Sequence, residues 1–150
     1  MKKLIIVALA LVLSLPSFAQ LNVKKSVVGK PVEECVISMQ WAWIYLHNNS
    51  HWLVLKSSNQ FDDWYWIRLG TTKAQCVETA NQLKELAETI TETDVYYIDN
   101  GQGEQFRVTQ YKALGIDGLW FSADDRAGGG NIQMPYIKKV CRWCEALTDR

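Results

Sequence analysis

The chain has 150 residues, 16 basic and 16 acidic side chains, an apolar fraction of 48% and seven tryptophans. The basic residues are scattered rather than gathered into a stripe, which excludes nucleic acid and anionic lipid as partners held by charge. The length suits one domain with a real hydrophobic core and leaves two domains cramped.

The first residues carry the three zones of an export signal. Lys2 and Lys3 supply the positive start, an apolar run over 4–15 is broken only by Ser14, and Pro16 ends the helical tendency. Ser17 and Ala19 are small residues at the positions a signal peptidase reads. The run falls short of the roughly 20 apolar residues of a comfortable membrane span, so residues 1–19 read as a cleaved signal of bacterial type. Residues 20–150 are then a single periplasmic or secreted domain, with no membrane span after cleavage and no cysteine at its start for a lipid anchor. With Lys2 and Lys3 removed, 14 basic residues face 16 acidic ones, a formal charge of −2.

Residues 21–34 are a polar lead-in with a turn at Gly29-Lys30-Pro31. From 35 to 47 the run alternates, with Cys35, Ile37, Met39, Trp41, Trp43 and Tyr45 on one side, and the period predicts one long strand with that side to the core. His47-Asn48-Asn49-Ser50 is turn chemistry. Strands over 52–56 and 64–69 complete an antiparallel meander.

The period then changes. Thr72 and Gln75 have capping-box spacing, and Ala74, Val77, Ala80, Leu83, Leu86, Ala87 and Ile90 follow a helical repeat. Strands over 94–99 and 105–111 flank Asn100-Gly101, a two-residue hairpin signal. A shorter strand covers 119–122. Residues 124–131 hold three successive glycines, Gly128 to Gly130, and are expected to be a mobile loop. A last helix runs over 134–146, with Pro135 in its first turn. Strand meander, helix, hairpin and C-terminal helix give an α+β domain, an antiparallel sheet with two helices packed on one face.

Chemistry is harder to find. Cys35, Cys76, Cys141 and Cys144 are all in the mature part, and an oxidising compartment makes disulfides the expectation, with three connectivities open. Cys141 and Cys144 have redox spacing but sit on the stripe Ile137, Val140, Cys141, Cys144, Leu147 of a buried helix face, so a structural role is expected. His47 and His51 flank a turn and read as solvated turn residues rather than metal ligands. The loop carboxylates Asp62, Asp63, Asp124 and Asp125 are the only acid/base candidates for a small envelope hydrolase. Arg126 is the charged residue nearest the glycines, should they hold an anion. No metal or cofactor motif stands out.

One feature remains. Five of the seven tryptophans lie in the first three predicted strands. Tyr65, Ile67 and Leu69 form a complete core face, so alternation turns Trp64, Trp66 and Arg68 to the other face, where Trp52 joins them. The ordinary expectation is that a second layer covers such a face; left open, it suits a protein partner or a glycan. The functional expectation is therefore an exported, non-catalytic binding module of the cell envelope. A glycan-binding domain, a small hydrolase and a self-associating structural component are the alternatives.

Overall fold

The computed structural model describes residues 30–59 and 64–148. The export signal, the lead-in up to residue 29, and Asp62 and Asp63 lie outside the described residues. The described chain is α+β, in the expected order of meander, helix, hairpin and C-terminal helix. Its strands divide into two antiparallel sheets of four. The first holds β1 (Val32–Ser38), β2 (Ala42–His47), β3 (Ser50–Lys56) and β4 (Trp64–Gly70) in sequence order, and α1 (Lys73–Thr89) follows. The second holds β5 (Tyr96–Asp99), β6 (Gln105–Ala113), β7 (Ile116–Ser122) and β8 (Gly130–Gln133), also in sequence order, before α2 (Met134–Ala146).

The single long strand over 35–47 is replaced by a hairpin. Residues 39–41 form a turn, closed by the Trp41 amide donating to the Ser38 carbonyl at 3.2 Å, and β1 pairs back on β2. The turn reverses the alternation. Ile37 points to the core before it and Ala42 and Ile44 after it, so Trp43 and Tyr45 face outward, opposite to the expectation. Both sides of the predicted strand were largely apolar, and the periodicity therefore could not decide the face.

The inward faces of both sheets and one stripe of each helix share a continuous core. Leu53, Leu55, Tyr65, Ile67 and Leu69 come from the first sheet, Phe106, Val108, Leu119, Phe121 and Ile132 from the second. Cys76, Ala80, Leu83 and Ala87 from α1 meet Ile137, Val140, Cys141 and Cys144 from α2. Thr72 caps α1 as expected, its hydroxyl accepting from the Gln75 amide at 3.3 Å, while the Gln75 side chain accepts from the Thr71 amide instead of the cap's own. Thr79 Oγ1 donates to the Leu69 carbonyl at 2.9 Å and ties α1 to β4. On the other helix, Lys139 Nζ donates to the carbonyls of Val36 and Ile37, on the β1 edge, at 2.8 and 3.2 Å. Two register shifts interrupt that same strand's pairing.

Two connections depart from expectation. The β5–β6 turn is a five-residue loop, because Asn100 Oδ1 accepts from the amides of both Gln102 and Glu104 and holds the chain open beyond Gly101. The glycine run is a packed seam. Asn59 Nδ2 donates to Ala127 O at 2.7 Å, Tyr65 OH to Gly128 O at 3.3 Å and the Ser58 amide to Gly129 O at 2.8 Å, and Ser57 bridges Gly130 across the two sheets. Gly129 and Gly130 are buried, and Gly130 opens β8. A Cβ on Gly129 would lie 2.4 Å from the Trp120 ring and 2.5 Å from the Phe121 carbonyl. Gly129 permits close approach to β7 and Gly130 close approach to Leu55 and Tyr65 of the first sheet, a different use from flexibility.

Candidate functional site

Most of the chemistry-bearing side chains are engaged in holding the fold. Arg126 forms an ion pair with Glu104 of the β5–β6 loop, donates to the Trp64 carbonyl at 3.2 Å, and lies over the Tyr65 ring at 5.2 Å. It locks the seam between the sheets and is not offered to an anion at the glycines. Asp124 and Asp125 are exposed in the loop before β8. Among the described residues no group of three His, Cys, Asp or Glu side chains is placed to hold a metal.

The two histidines point to opposite sides of the first sheet, and neither is a solvated turn residue. Asn48 and Asn49 take positive φ of 49° and 58° in the two-residue turn between them. His51 faces inward, its Nδ1 2.5 Å from Glu34 Oε2 and its ring edge-on to Trp143 at 5.3 Å. His47 faces outward, 6.0 Å from Trp66, with its carbonyl accepting from Trp52 Nε1 at 3.0 Å.

All four cysteines carry free thiols in this structure, so the expected bridges are not formed in it. Cys141 Sγ donates to the Ala80 carbonyl at 3.4 Å, which fixes the contact between the helices. One turn along each helix, in opposite directions, Cys76 and Cys144 are hydrogen-bonded to one another. That bond and burial raise the Cys144 thiol far above its ordinary range, while the same bond lowers Cys76. Burial also raises Cys141. Cys35 is partly buried against the core. The C-x-x-C pair thus lies in the last turns of α2 on its buried face, away from the helix N-terminus that activates a thiol.

The outward face of the first sheet gathers several partly exposed aromatic side chains. Trp64, Trp66 and Arg68 project there from β4, and Trp52 from β3 beside them, since Trp52 pairs with Arg68 and Val54 with Trp66. Trp52 is only 3% exposed, as is fitting for a residue at the centre of the sheet, and serves as the floor. Trp64 and Trp66 are half-buried and form the accessible layer together with residues that the periodicity had assigned to the core. Trp43 packs on Trp64 at 5.3 Å, and Tyr45 on Trp66 at 5.8 Å. Trp66 also meets Trp52 edge-on at 6.3 Å. Each ring is thereby held by a neighbour, so the layer loses little side-chain entropy on contact with a ligand.

Charge sits at the rim of this layer. On the β1 side Tyr45 OH donates to Glu33 Oε2 at 3.3 Å, and burial, followed by the nearby Glu33 charge, raises the Tyr45 hydroxyl above its ordinary value. On the β4 side Arg68 is exposed, its stem against Gly101 and its Nε donating to Ser50 Oγ at 3.2 Å. Gly101 has a φ of +85°, and a Cβ there would stand 2.6 Å from Arg68 Cβ. No protein-family model, curated protein or solved structure matches the chain. Among the described residues no helix is long and apolar enough to cross a membrane.

Proposed function

We propose that the chain is an exported, non-catalytic binding module of the bacterial cell envelope, and that the outward face of the first sheet holds a protein partner. The observation that carries this reading is the accessible layer formed by Trp43, Tyr45, Trp64 and Trp66, with Glu33 and Arg68 at its rim. An aromatic centre with a charged border has the anatomy of a protein interface, in which Trp, Tyr and Arg contribute most of the binding energy. A sheet face offers area rather than depth, and area is what a protein partner occupies.

The export signal accounts for compartment. In an oxidising compartment Cys76 and Cys144 are the pair whose thiols the helices bring together, so this is the connectivity the reading adopts. The mature protein then begins at Gln20. Photo-crosslinking from position 45 in intact cells, compared with position 114 on the far turn, tests the face. A crosslinked partner specific to position 45 and lost in a folded Trp64→Ala plus Trp66→Ala variant is expected. Undiminished crosslinking in that variant, or mature protein that retains Met1, refutes the reading.

A further inference from the structure

A second surface, built from other residues than the outward face of the first sheet, has a different chemistry. A cleft of about 360 Å³ opens at the junction of the two sheets and is lined by Trp41, Tyr111 and Tyr136 together with Ser38, Ser58, Asn131 and Gln133. Its volume lies within the range of about 300–1,000 Å³ typical of small-molecule sites. Four separate parts of the chain build it: the β1–β2 turn, the end of β3, the outer side of the second sheet, and the first turn of α2.

The aromatic walls are accessible, and one of them, Tyr111, is held by a neighbouring ring. Trp41 is 44% exposed at the tip of its turn and Tyr136 is 36% exposed on α2. Tyr111 stacks on Trp120 at 6.1 Å with an interplanar angle of 20°, and Trp120 in turn lies against Gly129 of the seam. On the second sheet Tyr111, Gly118 and Gln133 stand in one row across β6, β7 and β8, and Gly118 lets β8 lie close, since a Cβ there would stand 2.3 Å from the Ile132 carbonyl oxygen. Asn131 occupies the next row of β8 on the same face, because Gly130 and Ile132 turn inward.

The polar walls are uncommitted. Among the described residues, the side chains of Ser38, Ser58, Asn131 and Gln133 and the hydroxyls of Tyr111 and Tyr136 make no hydrogen bond. Two primary amides, two hydroxyls and two phenols thus present donors and acceptors to whatever enters. No Asp, Glu, Lys, Arg or His lines the cleft. A charged ligand would find no counter-ion there, and a wholly apolar one would leave the amides buried without partners, which is unfavourable. A ligand with an apolar face and a ring of neutral hydroxyls meets both requirements: its C–H face lies on the aromatic rings and its hydroxyls pair with Asn131 and Gln133.

We infer that this cleft is a binding site for a neutral saccharide, of the size of a mono- or disaccharide unit. It is independent of the protein-binding face proposed above, since it shares no residue with it.

Amide chemical-shift mapping and titration of the folded mature protein with chitobiose, cellobiose and maltose test the site, with galacturonic acid and glucosamine as charged probes. At least one neutral disaccharide is expected to shift the amides of residues 38–42 and 131–133 saturably. Trp41→Ala and Gln133→Ala, both at accessible positions, should each weaken it by about tenfold, the loss of one good contact of about 1.4 kcal/mol. Trp66→Ala should leave saccharide affinity unchanged while weakening any protein complex, which separates failure of this site from failure of the other. Absence of saturable shifts with all three neutral disaccharides at about 10 mM overturns the inference. So does tighter binding of either charged probe, or equal affinity in Trp41→Ala.

Discussion

Replacing Gly129 by alanine is the sharpest test of the seam, because two descriptions of this segment predict opposite signs. In a mobile loop Gly→Ala restricts the unfolded chain and stabilises by about 0.4–1 kcal/mol. At the seam the new methyl would stand 2.4 Å from the Trp120 ring and 2.5 Å from the Phe121 carbonyl, one a ring held by Tyr111 and the other backbone within a sheet. Neither neighbour is the far end of a flexible side chain, so relief requires moving β8 against β7 or lifting Trp120. Overpacking of this sort costs about 1–3 kcal/mol, and subtracting the unfolded-state gain leaves about 1–2 kcal/mol of net destabilisation. For a domain of this size that corresponds to a fall of about 3–10 °C in Tm. Urea unfolding followed by far-UV circular dichroism measures it without relying on Trp120 as reporter; the midpoint should fall at unchanged m-value. An equal or higher midpoint would refute the close packing of Gly129 against β7.

Three further outcomes follow from the same structure. Removing the Arg126 guanidinium by Arg126→Met breaks the Glu104 pair and the Trp64 carbonyl contact and should cost about 1–3 kcal/mol, with a double-mutant cycle against Glu104→Gln showing coupling; additive effects would count against the pair. Oxidation of Cys76 to Cys144 closes a loop of roughly 70 residues and should raise stability by about 4 kcal/mol over the reduced protein, while mature protein from the envelope that shows four titratable thiols in denaturant would exclude the bridge. The Asp94 carboxyl accepts from both the hydroxyl and the amide of Thr91, at 2.7 and 2.8 Å, and these bonds lower it below its ordinary 3.8. Its contribution is present above that ordinary value and is lost as pH falls through the lower folded value; carboxyl titration by NMR should show this shift, and Thr91→Val should diminish it.

The legible parts of the fold were those where one periodicity had no competitor. In α2 the stripe Ile137, Val140, Cys141 and Cys144 and the tolerated Pro135 set both the boundaries and the buried face. On β4 the complete inward set Tyr65, Ile67 and Leu69 fixed the outward position of Trp64 and Trp66. On β1 and β2 the opposite held: a turn built of Met39, Gln40 and Trp41 carries no Gly, Pro or Asn to announce it, and its effect on the alternation turned Trp43 and Tyr45 outward. The seam was missed for a related reason. Glycine permits both motion and close approach, and only the neighbours Trp120, Leu55 and Tyr65 decide between them. The cleft was beyond reach of any local pattern, because Trp41 and Tyr136 lie at opposite ends of the domain's sequence and meet only through the topology.

The Lys139 contact on β1 bears on how the molecule behaves in a crowd. An edge strand offers hydrogen-bonding groups that another chain can adopt, and sheets that end this way are prone to extend from molecule to molecule. Here an ammonium occupies the carbonyls of Val36 and Ile37, and two register shifts spoil the regular spacing an incoming strand needs. Among the described residues β1 is the edge of the first sheet, and regular addition of another strand there is opposed by the register shifts and by a charge that the second helix carries to it.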